Sequence, residues 1–142
     1  MTQIILLALV LTTFQAQAET YNCYFGNPFG EVTYDSNSKI LKTLENSTAR
    51  SQGAIVKSGK GSAMLNVRVQ ELANGDLGLV SQQGQTLVTM KRTNSGSDGF
   101  TNFIYPFSAT AAIDADNQGD GACETNSLRA EKPEMSLNDD SI

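Results

Sequence analysis

The sequence predicts an all-β domain: a small antiparallel β-barrel or sandwich of about eight strands, with one disulfide near the seam. Three observations predict it. Apolar and polar residues alternate with period two almost throughout, turn-forming clusters separate the alternating runs at short intervals, and no run carries the spacing of an amphipathic helix. The two cysteines, Cys23 and Cys123, stand near opposite ends of the alternating region. A barrel closes by pairing strands near its two ends, so a bond between these residues would staple that junction. Composition alone leaves open two free thiols or an intermolecular pair.

The first segment is different. Ile4 to Leu11 is an unbroken apolar run, and Ala16-Gln17-Ala18 follows with the small residues a signal peptidase needs. Met1-Thr2-Gln3 carries no Lys or Arg. The run is far below the roughly 18 residues that span a bilayer, so no stable membrane anchor is expected. Thr20-Tyr21-Asn22 before Cys23 lacks the small and apolar residues of a lipid-attachment site. The expected division is a signal peptide over 1–18, a single β domain over 19–129, and a polar, disordered tail over 130–142 that includes Pro133. Export, to the periplasm or as a secreted protein, would let the thiols pair.

The strands follow in order. Tyr21, Cys23 and Phe25 alternate with Asn22 and Tyr24 until Gly26-Asn27-Pro28 breaks the run. Val32 and Tyr34 resume it, Asp35 to Ser38 turns the chain, and Ile40, Lys42 and Leu44 continue, which reads as a hairpin. Asn46 to Gly53 is a polar loop containing the sequon Asn46-Ser47-Thr48, relevant only to a eukaryotic secretory route. Ser62 to Leu72 is the clearest strand, with Ala63, Leu65, Val67 and Val69 on one face. A turn at Asn74-Gly75 or Gly75-Asp76 leads to Leu77 and Leu79, and Gln82 to Gln85 leads to Leu87 through Met90. Thr93 to Gly99 reads as a glycine-serine loop, and Phe100 to Tyr105 as a short helical turn or an irregular stretch. Tyr105, Phe107, Ala109, Ala111 and Ile113 alternate next, Asp114 to Gly121 turns, and Ala122 to Leu128 is a last short strand carrying Cys123. The expected core includes Leu65, Val67, Val69, Tyr105 and Phe107.

Charge and composition exclude several functions. All charged residues follow the apolar leader, so the mature chain keeps the net charge of −5. That argues against nucleic acid and anionic membranes as partners and permits a basic protein. Histidine is absent, so an imidazole base, an imidazole metal ligand or a serine–histidine triad is impossible. Carboxylates are plentiful, but none form a pair at a defined spacing, and no enzymatic activity is expected.

Two motifs imitate ligand sites. Ser58-Gly59-Lys60-Gly61-Ser62 suggests a phosphate loop, but Gly61 intervenes where Ser or Thr must follow Gly-Lys directly, and its flanks read as strands. Asp114, Asp116 and Asp120 resemble the front of a calcium loop. The twelfth position is Thr125 rather than the bidentate acid, so these three are candidates for weak metal ligation only. No cofactor or metal is expected.

Two stretches carry a resemblance. Phe25-Gly26-Asn27-Pro28-Phe29-Gly30, followed by Val32-Thr33-Tyr34-Asp35, resembles the Gly-x-Glu-Pro-Phe-Trp opening of a family of small exported bacterial envelope proteins of unassigned function. Ser97-Asp98-Gly99-Phe100-Thr101-Asn102 and then Tyr105-Pro106-Phe107 resemble that family's Ser-Asp-Gly-Met-Ser-Asp and Tyr-Pro-Tyr stretch, and Gly121-Ala122-Cys123 its late Gly-Cys pair. Asn27, Gly30 and Asn102 stand where the family has Glu, Trp and Asp. The resemblance implies a β-rich envelope protein and brings no activity. It makes Asn27, Phe29, Ser97, Asp98 and Tyr105 candidate ligand or partner residues, although turn-making and core packing explain them as well. Tyr21-Asn22-Cys23 with a late cysteine also resembles the periplasmic and membrane-bound inhibitors of C-type lysozyme. Their inhibitory loop has a Ser-Gly pair and a separate Lys, to which Ser58-Gly59 and Lys60 or Lys91 could correspond.

The expected function is that of a non-catalytic exported envelope β-barrel binding an unidentified envelope protein or small ligand. The alternative is an inhibitor of a cell-wall hydrolase such as C-type lysozyme.

Overall fold

The alternating runs pair into one antiparallel sheet. The computed structural model describes residues 18–26, 30–44, 61–113 and 118–133. Its strands are β1 (Thr20–Phe25), β2 (Glu31–Asp35), β3 (Ile40–Leu44), β4 (Gly61–Met64), β5 (Arg68–Glu71), β6 (Leu77–Val80), β7 (Thr86–Gly96), β8 (Tyr105–Ala112) and β9 (Gln118–Thr125). They lie in the order β4-β3-β2-β1-β9-β8-β7-β6-β5. The sheet curls into a half-barrel, and no helix occurs among the described residues.

The first and last strands join in the middle of the sheet. β1 pairs with β9 in a register that sets Cys23 opposite Cys123, and the two form a disulfide with Cα atoms 4.0 Å apart. Both sulfur-bearing side chains are part of the core. Gly121 serves this junction. A Cβ there would overlap the Tyr24 carbonyl oxygen and crowd Phe25, so only glycine lets β1 and β9 come this close.

The two edges of the sheet are halves of one bent segment. Every neighbouring pair is antiparallel, and eight such steps separate β4 from β5 across the sheet, an even number. β4 and β5 therefore run in the same direction. The segment expected as one strand over Ser62 to Leu72 begins paired to β3 and ends paired to β6. Counted as one, it restores the expected eight strands.

The bend explains the main correction to the predicted core. Leu65 is 62% exposed, not buried. Asn66 adopts a left-handed conformation at φ 56°, tolerable for Asn, and shifts the alternation by one residue. Met64 packs against the core before the bend; Val67 and Val69 do so after it, with Val69 only half-buried. Two bonds hold the bend: Val67 donates its N–H to the Lys39 carbonyl at 3.0 Å, and the Tyr34 hydroxyl donates to the Val67 carbonyl at 2.7 Å.

The β2–β3 hairpin is set by Asp35, whose Oδ1 accepts the N–H of Asn37 at 2.8 Å and of Ser38 at 3.3 Å. Its register places Leu41 opposite Tyr34 and Thr43 opposite Val32. Opposed residues share a face, so Leu41 and Thr43 turn inward rather than the set of Ile40, Lys42 and Leu44.

Part of each of two expected loops is strand. β7 runs on through Thr93 to Gly96, with a register irregularity before Gly96 meets Tyr105. β9 begins at Gln118 rather than Ala122. Of the two readings of Phe100 to Tyr105, the irregular stretch holds rather than the helical turn: bends built on Asp98 lead into β8. The packed chain also continues past Arg129, because Glu131 and Ile104 form an antiparallel bridge.

Candidate functional site

Asp98 organises the connection between β7 and β8. It is only 2% exposed, yet it is fully partnered. Oδ1 accepts the N–H groups of Phe100 and Thr101, both at 2.8 Å. Oδ2 accepts the hydroxyls of Thr101 at 2.6 Å and Tyr105 at 2.8 Å. Gly99 supplies the positive φ the turn requires, and the Ser97 hydroxyl accepts its N–H at 3.1 Å. Burial pushes the Asp98 pKa up, but the bonds from Thr101, Phe100 and Tyr105 outweigh it and hold the carboxyl below the usual aspartate range. A carboxylate with four donors and a lowered pKa makes a poor proton acceptor. It is a scaffold for the loop.

A second buried acid fixes the opposite wall. Glu124, at the outer end of β9, accepts the Ala130 N–H at 2.8 Å and has Arg129 Nε at 3.8 Å. Leu128 donates its N–H to the Thr125 hydroxyl at 3.0 Å, and its carbonyl receives the Thr125 N–H at 2.8 Å, turning the chain after β9. Reciprocal 2.8 Å bonds between Ile104 and Glu131 then bring the C-terminal segment back against the start of β8.

Between these walls lies a groove of about 440 Å³, lined by Arg92, Ile104, Tyr105, Pro106, Leu128 and Arg129 among others. Arg92 and Arg129 are exposed, and Ile104 leaves 44% of its surface in solvent. Arg92 is held in place: its Nε donates to Asn94 Oδ1 at 2.7 Å, and the guanidinium carbon lies 5.6 Å from the centre of the Phe107 ring. Asn94 reaches it from a left-handed backbone at φ 55°. The groove thus combines apolar surface with two guanidinium groups, on a chain whose net charge is negative.

Of the sequence-predicted candidates, the structure brings Ser97, Asp98 and Tyr105 into one loop, where they bond mainly to one another; Tyr105 alone lines the groove. Lys91 points to the face opposite Arg92, since strand neighbours alternate. Asp120 is exposed on β9 opposite Thr110. Asn27, Phe29, Ser58, Lys60, Asp114 and Asp116 lie outside the described residues. Among the described residues, no His, Cys, Asp and Glu group is arranged to hold a metal ion.

Sequence reasoning missed Arg92, Arg129 and Ile104. No local motif marks them. They meet only because Glu131 returns to pair with Ile104, a contact a polar tail gives no reason to expect. The one available signal was scarcity: this acidic chain has 10 Lys and Arg in all, so two arginines beside apolar strand ends were worth attention.

The chain has no significant match among family models, curated proteins or solved structures.

Proposed function

We propose that this chain is exported, cleaved after Ala18, and acts as a non-catalytic envelope binding protein in the periplasm or outside the cell, with the Arg92–Arg129 groove as its recognition surface. The groove carries this reading. Exposed cationic and apolar side chains converge there, whereas the interior of the barrel is occupied by the packed core. A volume of about 440 Å³ falls within the range of small-molecule sites.

Two further observations support it. A disulfide suits an oxidising, extracytoplasmic compartment. The buried acids Asp98 and Glu124 are engaged in holding the loop and the C-terminal segment, which fits a binding rather than a catalytic role. The resemblance to small exported envelope proteins points the same way.

The test uses two baits, the mature protein and its Arg92→Gln/Arg129→Gln variant, each immobilised and exposed to bacterial envelope extract. The reading requires at least one species retained by the first and lost from the second. Identical retention by both would refute the groove as the recognition surface.

A further inference from the structure

Resting on the groove as the recognition surface, we infer that its ligand is a small organic acid: a carboxylate attached to a compact apolar body. Arg92 carries the argument. A guanidinium has five N–H donors in a fixed planar fork, and here only Nε is bonded, to Asn94, while Phe107 supports the group from the barrel end. The remaining fork is therefore held in one orientation before any ligand arrives. A held fork suits the planar, two-oxygen geometry of a carboxylate, with two parallel charge-assisted bonds.

Arg129 supplies a second cation from the other wall. Glu124 lies 3.8 Å from its Nε, beyond a strong hydrogen bond, so the arginine is steered but not saturated. Glu131 also lines the groove and Glu124 pairs with Arg129, so two carboxylates offset the two guanidinium groups and the site carries no surplus of positive charge. That balance favours a monoanion over a dianion such as phosphate. Ile104, Pro106 and Leu128 provide the apolar surface beside the cations. The half-exposed Ile104 is explained if an apolar ligand group covers it, since removing apolar surface from water is favourable.

The experiment is calorimetric titration of the oxidised mature protein at low salt with N-acetyl-leucine, N-acetyl-leucinamide and inorganic phosphate. Saturable binding of the acid is expected, with the amide and phosphate each about tenfold weaker or worse. Arg92→Gln should weaken the acid about tenfold, Arg92→Lys should fall between because it keeps charge but loses the fork, and Lys91→Gln should change nothing. Thermal melts of each variant separate lost binding from lost folding. Equal binding of acid and amide, phosphate binding as tightly as the acid, an unaffected Arg92→Gln variant, or no saturation by about 10 mM acid would each overturn the inference. If the acid fails while the two-bait comparison still shows an arginine-dependent species, only the ligand class is wrong; if both fail, the groove itself is.

Discussion

The Tyr105 hydroxyl donates to the Asp98 carboxylate at 2.8 Å, joining the loop after β7 to the first residue of β8. Tyr105 also lines the groove, so this bond positions a wall of the proposed site. Asp98→Asn keeps one acceptor but turns an amide toward the Thr101 and Tyr105 hydroxyls. It should cost about 2–4 kcal/mol. Tyr105→Phe should cost about 1–3 kcal/mol, and the double variant less than the sum, because both remove the same bond. Urea unfolding of the four proteins checks this; additive losses would show that the two residues act separately.

Acid should weaken the fold through Asp98 and Glu19. Ser127 donates to the Glu19 carboxylate with both its hydroxyl and its N–H, and these bonds hold that pKa down. A folded-state pKa below the unfolded one means the native state prefers the charged form. The stability involved is fully present above the ordinary values of 3.8 for Asp and 4.5 for Glu, and disappears as pH falls through the lower folded values. Midpoints measured from pH 6 downward should drop for the parent protein and drop less steeply in Asp98→Asn, where the Glu19 contribution remains.

The disulfide closes a sequence separation of 100 residues. Cys23→Ser and Cys123→Ser should each lose about 4–5 kcal/mol on the loop-closure model, and the double variant should add little. At the bend, Asn66→Val should cost about 1–2 kcal/mol, whereas Asn66→Gly should be close to neutral, because only the former resists a left-handed backbone. Equal effects of Val and Gly would mean the bend does not depend on that conformation.

These results bear on what was legible in the sequence. Strict alternation gave the fold class, and the positions of Cys23 and Cys123 gave the β1–β9 junction. Alternation failed at Leu65 because one left-handed residue reverses every later side chain, and nothing in Asn66 announces it. The hairpin face failed for a similar reason: whether Ile40 or Leu41 points inward is decided by pairing with Tyr34, not by local pattern. Asp98 was legible as a turn residue from Ser97-Asp98-Gly99. Its second oxygen and the groove were not, because Tyr105, Ile104, Arg129 and Glu131 are assembled by tertiary contacts.

Processing should precede folding. The Ala18 carbonyl accepts Asn126 Nδ2 at 3.4 Å, Glu19 donates its N–H to the Ser36 hydroxyl at 2.7 Å, and the Glu19 carbonyl accepts the Ser36 N–H at 2.9 Å. The peptide bond proposed for cleavage therefore has partners on both sides once the sheet forms. Signal peptidase should cut the unfolded, reduced precursor after Ala18 and cut the refolded, oxidised precursor much more slowly. Equal rates would show that these contacts do not protect the bond.

The central claim is that the groove between β8 and the C-terminal segment recognises a ligand. Amide spectra of isotopically labelled mature protein, recorded with and without the low-molecular-mass fraction of bacterial envelope extract, test it most directly. Shifts confined to Arg92, Asn94, Ile104, Tyr105 and Leu128 to Glu131, and absent in Arg92→Gln, are the predicted result. Shifts centred on the Leu65–Val67 bend, or a spectrum the fraction leaves unchanged, would contradict it.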